Sequence, residues 1–186
     1  MNITTKLLQS LNACQEGIDL VATYEDKEVE VVIRRLVADD HWDWANWLLP
    51  RLMNYKGYVS YAVFATELVL PIWEGEYPDD QRPRQAIEAA KRCIDDPSEK
   101  NKNAAQWAAR AARAAAWEAA RAAAAAAQWA ATAATGYTLD VASWARAAAA
   151  AARAATRAAE WAEASTDIKP QLIEKGFELL KKYPNG

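Results

Sequence analysis

The stretch SEKNKNAAQWAARAARAAAWEAARAAAAAAQWAATAAT, residues 98–135, contains neither glycine nor proline. Its residues are nearly all strong helix formers, so it predicts one helix from about Ser98 to Thr135, up to about 57 Å long at roughly 1.5 Å per residue. Asp96-Pro97 opens it and Gly136 stops it. Thr138 or Asp140 is placed to cap a second alanine-rich helix, from about Val141 to Ala164. A short turn makes the two antiparallel neighbours. The fold class expected is therefore all-α: a compact helical bundle with two long antiparallel Ala-rich helices.

Working outward, a final amphipathic helix with Pro170 near its start offers Leu172, Ile173, Phe177, Leu179 and Leu180 for packing. Upstream, Thr4 to Tyr24 reads as one bent helix or two short ones, interrupted at Gly17. Lys27 to Ala38 alternates like a strand at first and then repeats like a helix, and with no second strand to pair with it, helix is the reading. Asp39 or Asp40 is the expected cap for a helix through Trp42, Trp44, Trp47, Leu48 and Leu49, which Pro50 should kink or end. Tyr58 to Trp73 reads as one buried, nearly all-apolar helix, closed by Pro71, Gly75 and Pro78. Asp79-Asp80-Gln81-Arg82-Pro83 starts a helix that ends near Asp95. One helical domain over 1–186 follows, with mixed-composition helices in 1–96, a helical hairpin in 97–165 and the amphipathic helix in 166–186.

The chain has 186 residues, and 52% are apolar, ample for a core. Most of that fraction is alanine, whose burial releases little free energy, so the nine Trp should supply much of the core. A net charge of -3 gives no general attraction to long nucleic acid or to an anionic membrane. No apolar run of about 18 or more residues or secretory leader pattern is found, and the expected location is the cytoplasm. Cys14 and Cys93 form no CxxC pair and read as two reduced, buried thiols.

On the first alanine-rich helix, Gln106, Trp107, Arg110, Arg113, Trp117, Glu118, Arg121, Gln128, Trp129, Thr132 and Thr135 project to one side. The other side is alanine, suited to close contact with another helix. Trp107, Arg110, Arg113, Trp117 and Arg121 step by three or four residues, which makes one stripe of indoles and guanidinium groups. Arg146, Arg153 and Arg157 share a similar line on the second helix, close to Trp161. Tryptophan stacks on nucleobases and arginine binds phosphate through paired hydrogen bonds, so two such helices could line a nucleotide pocket. The alternative is that the Trp pack on the N-terminal helices while arginine stems cover them and pair with Glu118, Glu160 and Glu163.

Arg82 and Arg84 could join an anion site at a helix start; the alternative is a local ion-pair cluster with Asp79 and Asp80. His41 is the only histidine and reads as a helix-start residue rather than a metal ligand or catalytic base. No Gly-rich phosphate loop, GxSxG elbow or HExxH helix is present in the sequence, so no catalytic residue, cofactor or metal is expected.

Asp39-Asp40-His41-Trp42-Asp43-Trp44 with Trp47-Leu48-Leu49, Leu70-Pro71-Ile72-Trp73-Glu74, Tyr77-Pro78 and Arg82-Pro83-Arg84-Gln85-Ala86-Ile87-Glu88-Ala89-Ala90 resemble the Imm5-like immunity proteins, small helical proteins of bacteria and phages. The resemblance covers about residues 1–96. It implies a non-enzymatic protein that neutralises its target by stoichiometric binding. The target expected is a small anionic nucleotide signal sequestered by Trp and Arg, in immunity or phage anti-defence; the alternative is a protein toxin or defence effector. The alanine faces also suit a homodimer.

Overall fold

The computed structural model describes residues 1–119, 122–135, 141–161 and 168–185, with side chains over 1–112, 127–134, 145–158 and 168–185. The described residues are helical, with only two isolated bridges, Asn2 to Glu28 and Met53 to Pro184. The helices are α1 (Thr5–Ser10), α2 (Gln15–Thr23), α3 (Val29–Ala38), α4 (Trp42–Leu48), α5 (Tyr55–Glu67), α6 (Leu70–Glu76), α7 (Arg82–Asp95), α8 (Glu99–Ala119), α9 (Ala122–Thr135), α10 (Val141–Trp161) and α11 (Lys169–Lys182). A 3-10 helix, Leu49–Leu52, follows α4. One connected cluster of buried side chains runs from Ile3 to Leu180. The all-α bundle is thus as the sequence predicts, and no described helix is long and apolar enough to cross a membrane.

The largest departure lies in 98–135. Instead of one helix there are two, α8 and α9, packed along each other, so the alanine-rich part comprises three helices rather than two. α9 is surrounded by α8, α10, α7 and α5. Ala127, Ala130, Ala131, Ala133 and Ala134 are accordingly fully buried, as are Ala105 and Ala112 on α8 and Ala148, Ala151, Ala152 and Ala155 on α10. Over these described residues the alanine face is a seam to other helices of the chain, as expected. The expected stop at Gly136 and caps Thr138 and Asp140 lie outside the described residues.

Smaller departures have local causes. The break in the first segment falls at Asn12, which adopts φ 58°, while Gly17 continues inside α2. Asparagine tolerates this left-handed conformation better than most residues. The expected single helix of Tyr58 to Trp73 is α5 and α6, because Pro71 near the start of α6 has no N–H for a continuing helix. Neither Asp39 nor Asp40 caps α4: His41 occupies the cap position, Asp39 accepts hydrogen bonds from Arg35 and Tyr24, and Asp40 turns the chain at φ 61°. Cys93 is buried, whereas Cys14 is exposed, contrary to expectation, because it sits at the cap position of a short surface helix.

Two polar ties bind the alanine helices to the N-terminal half. Tyr55 Oη donates to the Ala134 carbonyl of α9 at 2.7 Å. Asn46, fully buried on α4, donates from Nδ2 to the Ala149 carbonyl of α10 at 3.0 Å and accepts from Tyr61 Oη at 3.1 Å. Burial raises the Tyr61 phenol well above its ordinary value, so it remains a donor.

Asn46→Ala strands the Tyr61 hydroxyl, whereas the Ala149 carbonyl inside α10 keeps its helical partner, and we expect a loss of about 1–3 kcal/mol. Urea unfolding measures it, and combination with Tyr61→Phe should be clearly non-additive. A Cβ at Gly57 would lie 2.8 Å from Met53 Cβ and 3.0 Å from Tyr183 Cβ, atoms fixed by their own backbones. Gly57→Ala should therefore cost about 1–3 kcal/mol of overpacking in the same assay, despite alanine's better helix propensity.

Candidate functional site

A cleft of about 560 Å³ opens where the α1–α2 hairpin faces α4 and α10, within the range that holds small ligands. Leu8, Asn12 and Ala13 of the α1–α2 hairpin, Cys14, Gly17 and Val21 at α2, and Leu36 of α3 line one side. Asp43, Trp44, Trp47 and Leu48 line it from α4, and Arg153 and Arg157 from α10. Gly17 leaves room at the wall: a Cβ there would lie 3.4 Å from Cys14 Sγ and 3.8 Å from the Trp44 ring.

Both indoles are held on their rings. The His41 imidazole stacks on Trp44 with centroids 4.4 Å apart and planes 8° from parallel. The Arg51 guanidinium lies 4.1 Å from the Trp47 ring centroid and donates from Nη1 to the Trp47 carbonyl at 2.7 Å. Such support fixes aromatic walls before any ligand arrives, which reduces the ordering cost of binding.

The electrostatics are cationic in a chain of net charge -3. Arg153 and Arg157, four residues apart and so on one face of α10, form no ion pair among the described residues. Asp43 is the one carboxylate among the lining residues. Arg51 is 5% exposed, and burial, reinforced by the charges of Arg146 and Arg153, pulls its guanidinium down to about 10. Its folded value lies below the ordinary arginine value, so its favourable contribution to folding exists only above that ordinary value and is lost as pH falls through about 10. Around neutral pH the charge on Arg51 opposes folding.

The arginines and tryptophans expected from the sequence fall in separate places. Arg153 and Arg157 line the cleft, and Arg146 lies close enough for its charge to act on Arg51. Trp107, 67% exposed, and Arg110, whose guanidinium sits 5.0 Å from the Trp107 centroid, lie on α8 and do not line the cleft. The side chains of Arg113 and Trp117, and Arg121 as a whole, lie outside the described residues, as do the side chains of Glu118, Glu160, Trp161 and Glu163. Arg82 pairs with Asp80 at 2.7 Å and Arg84 with Glu74 at 2.5 Å, which is the ion-pair alternative for that loop.

Sequence reasoning placed Trp44 and Trp47 in a helix that Pro50 should kink or end, and did not single out either of them or Arg51 as candidate site residues. Their spacing of three and then four residues is the same aromatic and arginine stepping that marked α8. Pro50 hid it by signalling the end of the helix, whereas the 3-10 turn carries Arg51 on to the Trp47 ring.

The arrangement suits a ligand that is flat at one end and anionic at the other: indole faces for stacking, guanidinium groups for oxyanions. Comparison of the chain with protein-family models, with curated proteins and with solved structures finds no match.

Proposed function

We propose that this chain is a non-catalytic binding protein that sequesters a small anionic nucleotide in the cleft between α2, α4 and α10. The observation that carries the reading is the pairing of two pre-braced indoles, Trp44 and Trp47, with two arginines that have no ion-pair partner among the described residues, Arg153 and Arg157. Stacking of one base is worth about 1–3 kcal/mol, and a hydrogen bond to a charged group about 1.5–3 kcal/mol. Together these reach micromolar binding only if the ligand uses both ends of the cleft. Stoichiometric removal of a nucleotide signal fits the immunity or anti-defence role that the Imm5-like resemblance implies.

A second reading draws on α8. Trp107 is 67% exposed with Arg110 laid against its ring, and exposed Trp and Arg are the residue types that dominate protein–protein hot spots. On that reading the target is a toxin or defence effector protein and the α8 face is the contact.

Thermal melting and calorimetry against mono-, di- and cyclic nucleotides separate the two. We expect one class to raise Tm; ligand at 100-fold its Kd stabilises by about 2.7 kcal/mol. Arg153→Gln should weaken that ligand roughly tenfold or more, Gly17→Leu should block the cleft, and Trp107→Ala should change nothing. Alkylation of exposed Cys14 should slow when the cleft is filled, while buried Cys93 stays unreactive. If no nucleotide shifts Tm, or if Trp107→Ala abolishes binding where Arg153→Gln does not, the cleft reading fails.

A further inference from the structure

We infer that the part of the cleft lined by Arg153 and the Arg51-braced Trp47 is a seat for a phosphate-type oxyanion, held by Arg153 and by the nearby charges of Arg51 and Arg146. This rests on the reading of the cleft as a ligand site but reaches deeper than its lining residues.

Arg51 is the unusual member. Arginine carries five N–H donors and is rarely buried without a carboxylate. Arg51 is 5% exposed, one nitrogen serves the Trp47 carbonyl, and its Nε is buried with no acceptor. No carboxylate pairs with it among the described residues. A purely structural cap on Trp47 would need neither the charge nor the unsatisfied nitrogen.

The geometry of α10 brings further cations to the same place. The Asn46 to Ala149 hydrogen bond fixes which face of α10 meets α4. Arg146 is three residues before Ala149 and Arg153 four after it, so both flank that contact on the same face. Arg153 and Trp47 both line the cleft, and Arg51 lies over the Trp47 ring. The charges of Arg146 and Arg153 act on Arg51 there, and the resulting repulsion adds to burial in holding it down. A compact dianion relieves it, with Arg153 making contact from the cleft and Arg51 and Arg146 supplying field.

The shared chemistry, a phosphate-type oxyanion, can arrive free or as part of a nucleotide. The test is calorimetry and thermal melting of the full chain with inorganic phosphate, inorganic pyrophosphate, a nucleoside and its 5′-monophosphate, against chloride at equal ionic strength. We expect saturable stabilisation by phosphate or pyrophosphate. Arg153→Gln should weaken it at least tenfold, and Arg51→Met should weaken it severalfold while the ligand-free Tm stays level or rises. Stabilisation by the monophosphate far beyond the nucleoside assigns the seat to a nucleotide's phosphoryl group; stabilisation by phosphate alone assigns it to the free ion, and the seat survives while the nucleotide reading falls. Equal responses in wild type, Arg51→Met and Arg153→Gln, or none to any oxyanion, overturn the seat. Nucleoside binding that persists in Arg51→Met without a phosphate effect overturns it too, and leaves the cleft reading standing. A ligand-free Tm that drops in Arg51→Met with an unchanged phosphate response makes Arg51 a structural cap only.

Discussion

Alanine has nothing beyond Cβ to interlock, so helices that meet through alanine pack closely but with little to choose between one register and the next. α9 is buried on several sides by α8, α10, α7 and α5 through residues such as Ala127, Ala130, Ala131 and Ala134. Register must therefore come from elsewhere, and the polar ties supply it. Tyr55 holds α9 at the Ala134 carbonyl, and Asn46, itself gripped by Tyr61, holds α10 at the Ala149 carbonyl. A buried hydrogen bond adds only about 0.5–1.5 kcal/mol when made but costs more when broken. That asymmetry penalises every slipped register.

The same ties decide where the charges go. One residue of slip turns a helix by about 100°, which would carry Arg153 and Arg157 away from α4. With Ala149 pinned, these arginines come to line the cleft, and Trp44 and Trp47 meet them from a helix that carries Asn46 between them. Large side chains of the N-terminal half, among them Tyr58, Tyr61, Leu48 and Leu49, provide the apolar burial that alanine cannot.

Much of this fold is legible in the sequence where residues of distinct size or conformation mark it. α3, α7 and α11 begin and end close to their expected limits because capping residues, prolines and apolar spacing agree there. The reversal between α8 and α9 is not legible, since alanine, glutamine and arginine favour helix throughout and carry no stop signal. What divides the stretch is tertiary: alanine faces folded together bury more surface than one extended helix can. The site was half legible for a related reason. Aromatic and arginine stepping is a valid sign of a shared face, but it cannot say whether the face is outside, as at Trp107 and Arg110, or at a cleft, as at Trp44, Trp47 and Arg51.

If the cleft binds an anion as proposed, an acidic chain around a cationic cleft would also discriminate by size. The net charge of -3 acts over the whole surface, whereas the arginines act at one place. At physiological salt, fields fade over about 8 Å, so a small anion inside the cleft feels the guanidinium groups and little of the distant carboxylates. A long polyanion, in contrast, must lie across acidic surface to reach the same groups, including Asp43 at the cleft wall. On the proposed reading, cations inside a concavity would admit a compact anion without general affinity for nucleic acid, and the cost of holding Arg51 charged and buried is the physical counterpart of that selectivity.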